Sequence, residues 1–224
     1  MGEVEAGSEG PAPAETYSPR QREVLECALR LLVQGGDRAL TTARIAREAN
    51  CSKQSLYKWF GDRDGVLAAV IAHQASKVRV ATPRQDRRDR AGLEADLVVF
   101  ASDLLAVLAG DASLALNRLA IGQASRDGAV LGRLVLDRGR RTIETRARAL
   151  LEAGRAAGHI EAPDLGEAYR TLYGLIIGDW HVRLLLGDRP AESETDRRAE
   201  ARRAVDHFFR LFGADERKAG HRPG

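Results

Sequence analysis

Between residues 53 and 59 the sequence sets Lys53, Gln54, Ser55, Tyr57, Lys58 and Trp59 around one apolar position, Leu56. These side chains offer hydrogen-bond donors and flat faces rather than nucleophiles or acid–base pairs. Such a group suits a nucleic-acid duplex: glutamine can pair bidentately with adenine, and lysine ammonium and tyrosine hydroxyl groups suit phosphate oxygens. Chemistry elsewhere is sparse. The histidines are His73, His159, His181, His207 and His221, and none belongs to a His-Glu-x-x-His pair. A glycine-rich phosphate loop, a nucleophile elbow and a zinc-spaced cysteine set are all missing. Asp179, Trp180 and His181 could join His207 in a metal or acid–base site, but a histidine paired locally at an interface is the simpler reading. Neither catalysis nor a metal nor a cofactor is expected.

The donor cluster needs a scaffold, and residues 41–60 spell one. Thr41 is a suitable N-cap, because its hydroxyl can accept from a free first-turn amide. Ile45, Ala46 and Ala49 fall on one helical face. Asn50 stands where that helix must stop and tolerates a left-handed turn. Cys51 can bury as a small hydrophobe. Ser52 can cap a second helix whose inner face carries Leu56 and Phe60. Two short helices joined by a tight turn, with donors on the second, match what major-groove entry requires. A first helix over 19–33 precedes the pair, with Val24, Ala28, Leu31 and Leu32 at helical spacing and Gly35-Gly36-Asp37 as its stop. A fourth, capped by Asp62 and running to about residue 80, turns Leu67, Val70 and Ile71 inward and links the pair to the second domain.

The run from Val24-Leu25-Glu26-Cys27-Ala28-Leu29-Arg30-Leu31-Leu32 through Thr41–Ala46 and Leu56–Phe60 to Arg63 and Leu67 resembles the N-terminal domain of the TetR family of transcription regulators. The resemblance implies that Thr42, Lys53, Gln54, Ser55, Tyr57, Lys58 and Trp59 contact DNA, and that Arg63 adds a phosphate contact. It also implies a four-helix dimer interface built from the last two long helices. Two positions depart from the family pattern. Asn50 replaces a usual glycine, which keeps the turn feasible. Gln54 replaces a usual glycine or proline, so the operator sequence cannot be inferred from relatives.

Charge supports a phosphate-binding surface around this motif. Residues 1–18 carry a formal −4, residues 19–82 carry +5 and residues 83–224 carry +2, within an overall +3. The positive excess per residue is thus highest around the donor cluster. At 224 residues, with 44% hydrophobic and 30% charged content, the chain reads as a soluble globular protein of two domains. No apolar run approaches the roughly 20 residues of a membrane span. The acidic start lacks a signal-peptide pattern, so a cytoplasmic location without membrane contact is expected. Cys27 and Cys51 are expected to pack in the N-terminal core rather than to form a disulfide framework.

The remaining sequence is all-α, giving about nine helices in total. Expected divisions are a disordered tail over 1–17, the DNA-binding domain with its linking helix over 18–82, a regulatory and dimerisation domain over 83–213, and a loose tail over 214–224. Pro83 and the polar run of residues 84–90 mark the boundary. Leu93, Leu97, Phe100, Leu104 and Leu108 predict helix five, and residues 113–125 form helix six. Leu131, Leu134, Val135, Ile143, Ala147, Leu150 and Leu151 predict a single helix seven over 129–157, stopped by Gly158. Asp164 and Glu167 open helix eight in a capping-box pattern, which continues to about residue 186. Helix nine covers about 193–212. The last two are apolar over more width than one packing face needs. Leu172, Ile176, Leu184, Val205, Phe208, Phe209 and Phe212 are therefore expected at a homodimer interface. Phe100, Asn117, Arg118, Gln123, Tyr169, Tyr173, Trp180 and His181 interrupt apolar stripes as candidate linings of an effector cavity, mainly aliphatic with few polar anchors. Together these features predict a homodimeric repressor that binds a pseudo-palindromic operator and is released by a small, largely apolar molecule. The alternatives are a helical protein-interaction module with a vestigial pocket, and a helical enzyme.

Overall fold

Val24, Leu25, Ala28, Leu31 and Leu32 fall on one face of helix α1 (Pro19–Ala39) and are buried there. The protein is described from a computed structural model, which covers residues 17–79, 89–124, 130–188 and 196–214. The expected tails over 1–16 and 215–224, and residues 84–88 of the polar run, lie outside the described residues. Helix α1 is interrupted at its expected stop. Gly36 breaks it at φ 60°, ψ −156°, a conformation open to glycine because it has no Cβ. The chain then resumes a helical course and buries Ala39 and Leu40.

Helices α2 (Thr42–Glu48) and α3 (Lys53–Phe60) form the expected pair. The Thr41 hydroxyl accepts from the Arg44 amide at 3.2 Å, and the Ser52 hydroxyl accepts from the Ser55 amide at 2.9 Å. Asn50 adopts φ 50°, the left-handed turn its side chain tolerates. Helix α4 (Arg63–Ser76) starts after Asp62, whose carboxylate accepts from the Gly65 amide at 2.8 Å. Only glycine fits at position 65, since a Cβ there would collide with the Phe60 carbonyl oxygen.

The larger half begins with α5 (Arg90–Ala109), capped by Asp89, and bends by 64° into α6 (Asp111–Gln123). The expected helix seven is divided. Helix α7 (Val130–Leu134) passes through a π-helical turn (Val135–Arg140) into α8 (Arg141–Ala156). A wide turn shifts the phase of the apolar stripe, so one rod serves two cores: Leu131 joins the N-terminal core, while Ile143, Ala147, Leu150 and Leu151 join the C-terminal one. The expected helix eight is divided too. Helix α9 (Leu165–Ile177) stops at Gly178, at φ 49°, and α10 (Trp180–Leu185) starts two residues later. Helix α11 (Arg197–Phe212) packs against α5 and α9. No strand occurs among the described residues; one isolated bridge joins Ile160 to Gly213.

The protomer itself buries most of the apolar side chains that periodicity assigns to a dimer interface, all but Leu184 of them in or against the second core. Leu172, Ile176, Leu184, Val205, Phe208 and Phe209 are all buried within a single protomer, and Phe212 is half-buried, stacked on Phe208 at 5.1 Å. Within the protomer, α5 and α9 thus cover the inner face of α11, and α8 covers that of α9. What they leave outside includes Val182, Leu186 and Leu211, at 58%, 83% and 64% exposure.

The two halves are joined by more than a linker. Leu116 and Ala120 of α6 pack into the N-terminal core, and Gly139 of the π turn approaches Ile71 of α4 closely enough that a Cβ would sit 3.3 Å from it. Arg146 of α8 donates to the carbonyls of Ala75 and Val78 at 2.9 and 3.1 Å, closing the end of α4.

Candidate nucleic-acid interface and effector cavity

Leu56 and Phe60 anchor α3 in the N-terminal core, so the rest of the helix must face away from it. Lys53, Gln54, Tyr57 and Lys58 are exposed, and Thr42, at the start of α2, is half-buried. The structure therefore brings together on one outer surface most of the residues expected to meet DNA. Two of them have structural duties as well. Trp59 is half-buried, edge-on to Phe60 with ring centroids 6.2 Å apart. The Ser55 hydroxyl lies 2.9 Å from that of Ser52, inside the helix cap. Arg63 is also engaged: its Nε donates to the Leu40 carbonyl at 3.0 Å, tying α4 to the α1–α2 connection.

Sequence reasoning missed Arg20. Its guanidinium donates to the carbonyls of Ala49 and Asn50 at 2.6 and 2.8 Å, clamping the turn between α2 and α3 from a point 29 residues away. These carbonyls are ones a helix end leaves without an intrahelical partner. No local pattern marks Arg20, because the bond exists only once α1 lies across the turn. Glu26 was missed in the same way. Its carboxylate meets His73 Nε2 at 2.8 Å and Lys77 Nζ at 3.0 Å, bracing α1 against α4. Burial raises its pKa, but the bonds from His73 and Lys77 outweigh that and hold the carboxyl below its ordinary value. Cys27 is buried, which pushes its thiol up, and Cys51 is half-buried; both are free thiols.

The second site is a partly open cavity of about 250 Å³ lined by α4, α5, α6, the π turn, α8, α9 and α10. Its walls are mainly aliphatic, including Ile71, Leu104, Leu108, Leu116, Val135 and Ile143. Of the residues expected to line it, Asn117, Tyr173 and His181 do. Phe100 and Tyr169 are instead wholly buried in the C-terminal core. Trp180 packs half-buried against that core, and Gln123 is half-buried near the end of α6, away from the lining. Arg118 acts as a staple, donating to the carbonyls of Leu184 and Leu185 at 2.8 and 2.9 Å and so holding α10 on α6. Three further polar lining residues, Gln74, Ser113 and Arg140, escaped the sequence reading. Gln74 lies on α4, which reads as part of the DNA-binding half, and Arg140 reaches the cavity through the π turn.

The polar groups of this cavity are unusual for a folded interior. Gln74 Nε2 and His181 Nε2 are buried with no hydrogen-bond partner, whereas buried polar atoms are nearly always paired. Burial also pushes the His181 pKa down, favouring the neutral ring. The Arg140 guanidinium lies over the Tyr173 ring, 4.4 Å from its centroid. A wider, more open groove of about 560 Å³ runs between α1, α4 and α5, but its lining mixes acids and bases and includes the paired Glu26 and Lys77. Among the described residues no group of three histidine, cysteine or carboxylate side chains could hold a metal, and no single helix is long and apolar enough to cross a membrane.

Comparison with known proteins places both halves. Residues 24–70 match the domain described as bacterial regulatory proteins, tetR family, and residues 95–214 match the AefR-like transcriptional repressor, C-terminal domain. A TetR transcriptional regulator from Agrobacterium tumefaciens is 56% identical in a crystal structure that aligns with 92% of this chain and 100% of its own, at a TM-score of 0.77. The flavonoid-responsive regulator FrrA is 25% identical over 87% of this chain and 97% of its own, at a TM-score of 0.63. YvkB of Bacillus subtilis (strain 168), an uncharacterized HTH-type transcriptional regulator, is 34% identical over 58 residues, 26% of this chain. The chain spans about a third of the length of the curated relatives it matches first, 31% for YvkB. With an N-terminal helix-turn-helix domain and a C-terminal domain matched over more than half its length, the chain belongs to the TetR family of transcriptional regulators.

Proposed function

We propose that this regulator is a cytoplasmic, homodimeric repressor whose hold on a pseudo-palindromic operator is released by a small molecule in the 250 Å³ cavity. One observation carries the reading: the 14-residue helix α4 serves both sites. Its first turn is tied to the DNA-reading unit through Arg63 and the Leu40 carbonyl. Its last turns supply Ile71, Gln74 and Ala75 to the cavity. A ligand that favours one position of α4 over another must therefore change the placement of α3. Only such unequal binding shifts an equilibrium; a hundredfold loss of operator affinity corresponds to about 2.7 kcal/mol of coupling.

Within α3, Gln54 reads a base edge, while Lys58 and the Tyr57 hydroxyl meet phosphates, with Arg63 beside them and Thr42 at the start of α2. Lys53, Ser55 and Trp59 complete the contact surface. The protomers pair through the outer faces of α10 and α11, where Val182, Leu186 and Leu211 remain exposed. A two-fold dimer presents two α3 helices and so selects inverted half-sites. The test is selection of bound fragments from genomic DNA with purified protein, followed by titration of the selected duplex at several salt concentrations. Inverted repeats and a steep salt dependence are expected. A protein that selects no sequence, or that sediments as a monomer at micromolar concentration, is not this regulator.

A further inference from the structure

We propose that the cavity takes a small monocarboxylate with a compact aliphatic or alicyclic body, its carboxylate held by Arg140, Gln74 and His181. This rests on the effector reading of the same cavity and adds the chemistry of the ligand.

Size sets the first limit. About 250 Å³ is below the roughly 300–1,000 Å³ of pockets for drug-sized ligands. The walls set the second: aliphatic side chains from α4, α5, α6 and α8 exclude a body rich in hydroxyl or charged groups. The polar groups then decide the head. Gln74 Nε2 and His181 Nε2 are buried and unpartnered, so each needs a partner that the protein does not supply. Arg140 is the one permanent charge in the lining, and no aspartate or glutamate accompanies it there. Arg140 is exposed, with its guanidinium carbon 4.4 Å from the Tyr173 ring centroid, and its N–H groups are the cationic donors at the cavity wall. A planar guanidinium matches a carboxylate in a bidentate fork, and a neutral imidazole and an amide can donate to the same two oxygens. A dianionic phosphate would bring a second negative charge, and the lining holds no lysine to meet it. A neutral alcohol would leave at least one of the three donors unmet. Because Gln74 lies on α4, the head group is also the part of the ligand that touches the DNA-linked helix.

The test uses the full-length dimer and matched pairs of probes: hexanoate against hexan-1-ol, and cyclohexanecarboxylate against cyclohexylmethanol. Binding is followed by titration calorimetry and thermal shift. The carboxylate of each pair is expected to bind at least about tenfold tighter than its alcohol. Arg140→Gln should bring that ratio close to one, Arg140→Lys should restore part of it, and Gln74→Leu should weaken the acid more than the alcohol. Alcohols binding as tightly as acids, a preference unchanged in Arg140→Gln, or no acid binding tighter than about 1 mM would each overturn the proposal. Operator titration separates the two readings. Carboxylates that bind selectively but leave DNA affinity unchanged support this site and refute the effector role. Alcohols that release DNA where the acids do not support an effector role and refute this site.

Discussion

The helix-turn-helix and the surroundings of the cavity treat their polar groups in opposite ways. Around the helix-turn-helix, caps and connections are closed by identified partners: Thr41, Ser52 and Asp62 at helix starts, Arg20 across the turn, Arg63 on the Leu40 carbonyl. Around the cavity, Gln74 and His181 bury nitrogen atoms without partners, and the two rods beside them are interrupted, one by a π turn and one at Gly178. The bonds around the helix-turn-helix tie α2 and α3 to α1 and α4. The cavity wall instead keeps two buried nitrogen atoms unmet beside interrupted helices, and under the proposed function these are the groups that a ligand satisfies. Preorganisation serves recognition; a switch needs two arrangements of comparable free energy.

The sharpest test of this contrast is Phe208, which is wholly buried in the C-terminal core. Phe208→Ala should cost about 3–5 kcal/mol, read by denaturant unfolding. Phe208→Asp should leave no folded protein, since a lone charge would be buried. A folded, soluble monomer from Phe208→Asp would restore the side chain to the dimer interface and remove it from the core.

The DNA face responds next. Gln54→Ala should cost about 1–3 kcal/mol on the correct site and relax preference at one position per half-site. Lys58→Ala should weaken all duplexes alike and reduce the slope of log K against log salt by about 0.9 for each phosphate it no longer neutralises. An unchanged slope would place Lys58 away from phosphate. Arg20→Ala leaves two helix-end carbonyls without their donor and should destabilise the N-terminal half by about 1–2 kcal/mol, seen as faster amide exchange in α2 and α3. Were exchange in those helices unaffected, the clamp would be dispensable.

Smaller effects sharpen the same picture. Asn50→Gly should change stability by no more than about 0.5 kcal/mol, because both residues accept φ 50°, whereas Asn50→Val should cost about 1–2 kcal/mol. The smallest effect concerns Glu26, whose folded pKa lies below 4.5. Its contribution is complete above the unfolded value and is lost as pH falls through the folded one. Glu26→Gln should therefore flatten the acid limb of the stability–pH curve below 4.5. If the limb keeps its steepness, the brace between α1 and α4 carries little weight.

What the sequence by itself determined are the features that act over a few residues. Thr41, Ser52, Asp62 and Asp164 cap helices within three positions of themselves, and Asn50 turns the chain alone. Leu56 and Phe60 settle which side of α3 faces outward. These are short-range effects, so the fold class and the DNA-reading helix were legible in the residues alone. Tertiary structure decided the rest, because it depends on which elements meet. Periodicity showed that Leu172, Val205 and Phe208 must be buried, but it could not say whether another helix of the same chain or a second chain would cover them; within the protomer α5, α8 and α9 share that role. The cavity drew Gln74 from α4 and rotated Arg140 into its wall through a π turn. Arg118 left the predicted lining to staple α10. A side chain's partner across 29 or 67 residues is set by packing geometry, and no local pattern encodes it.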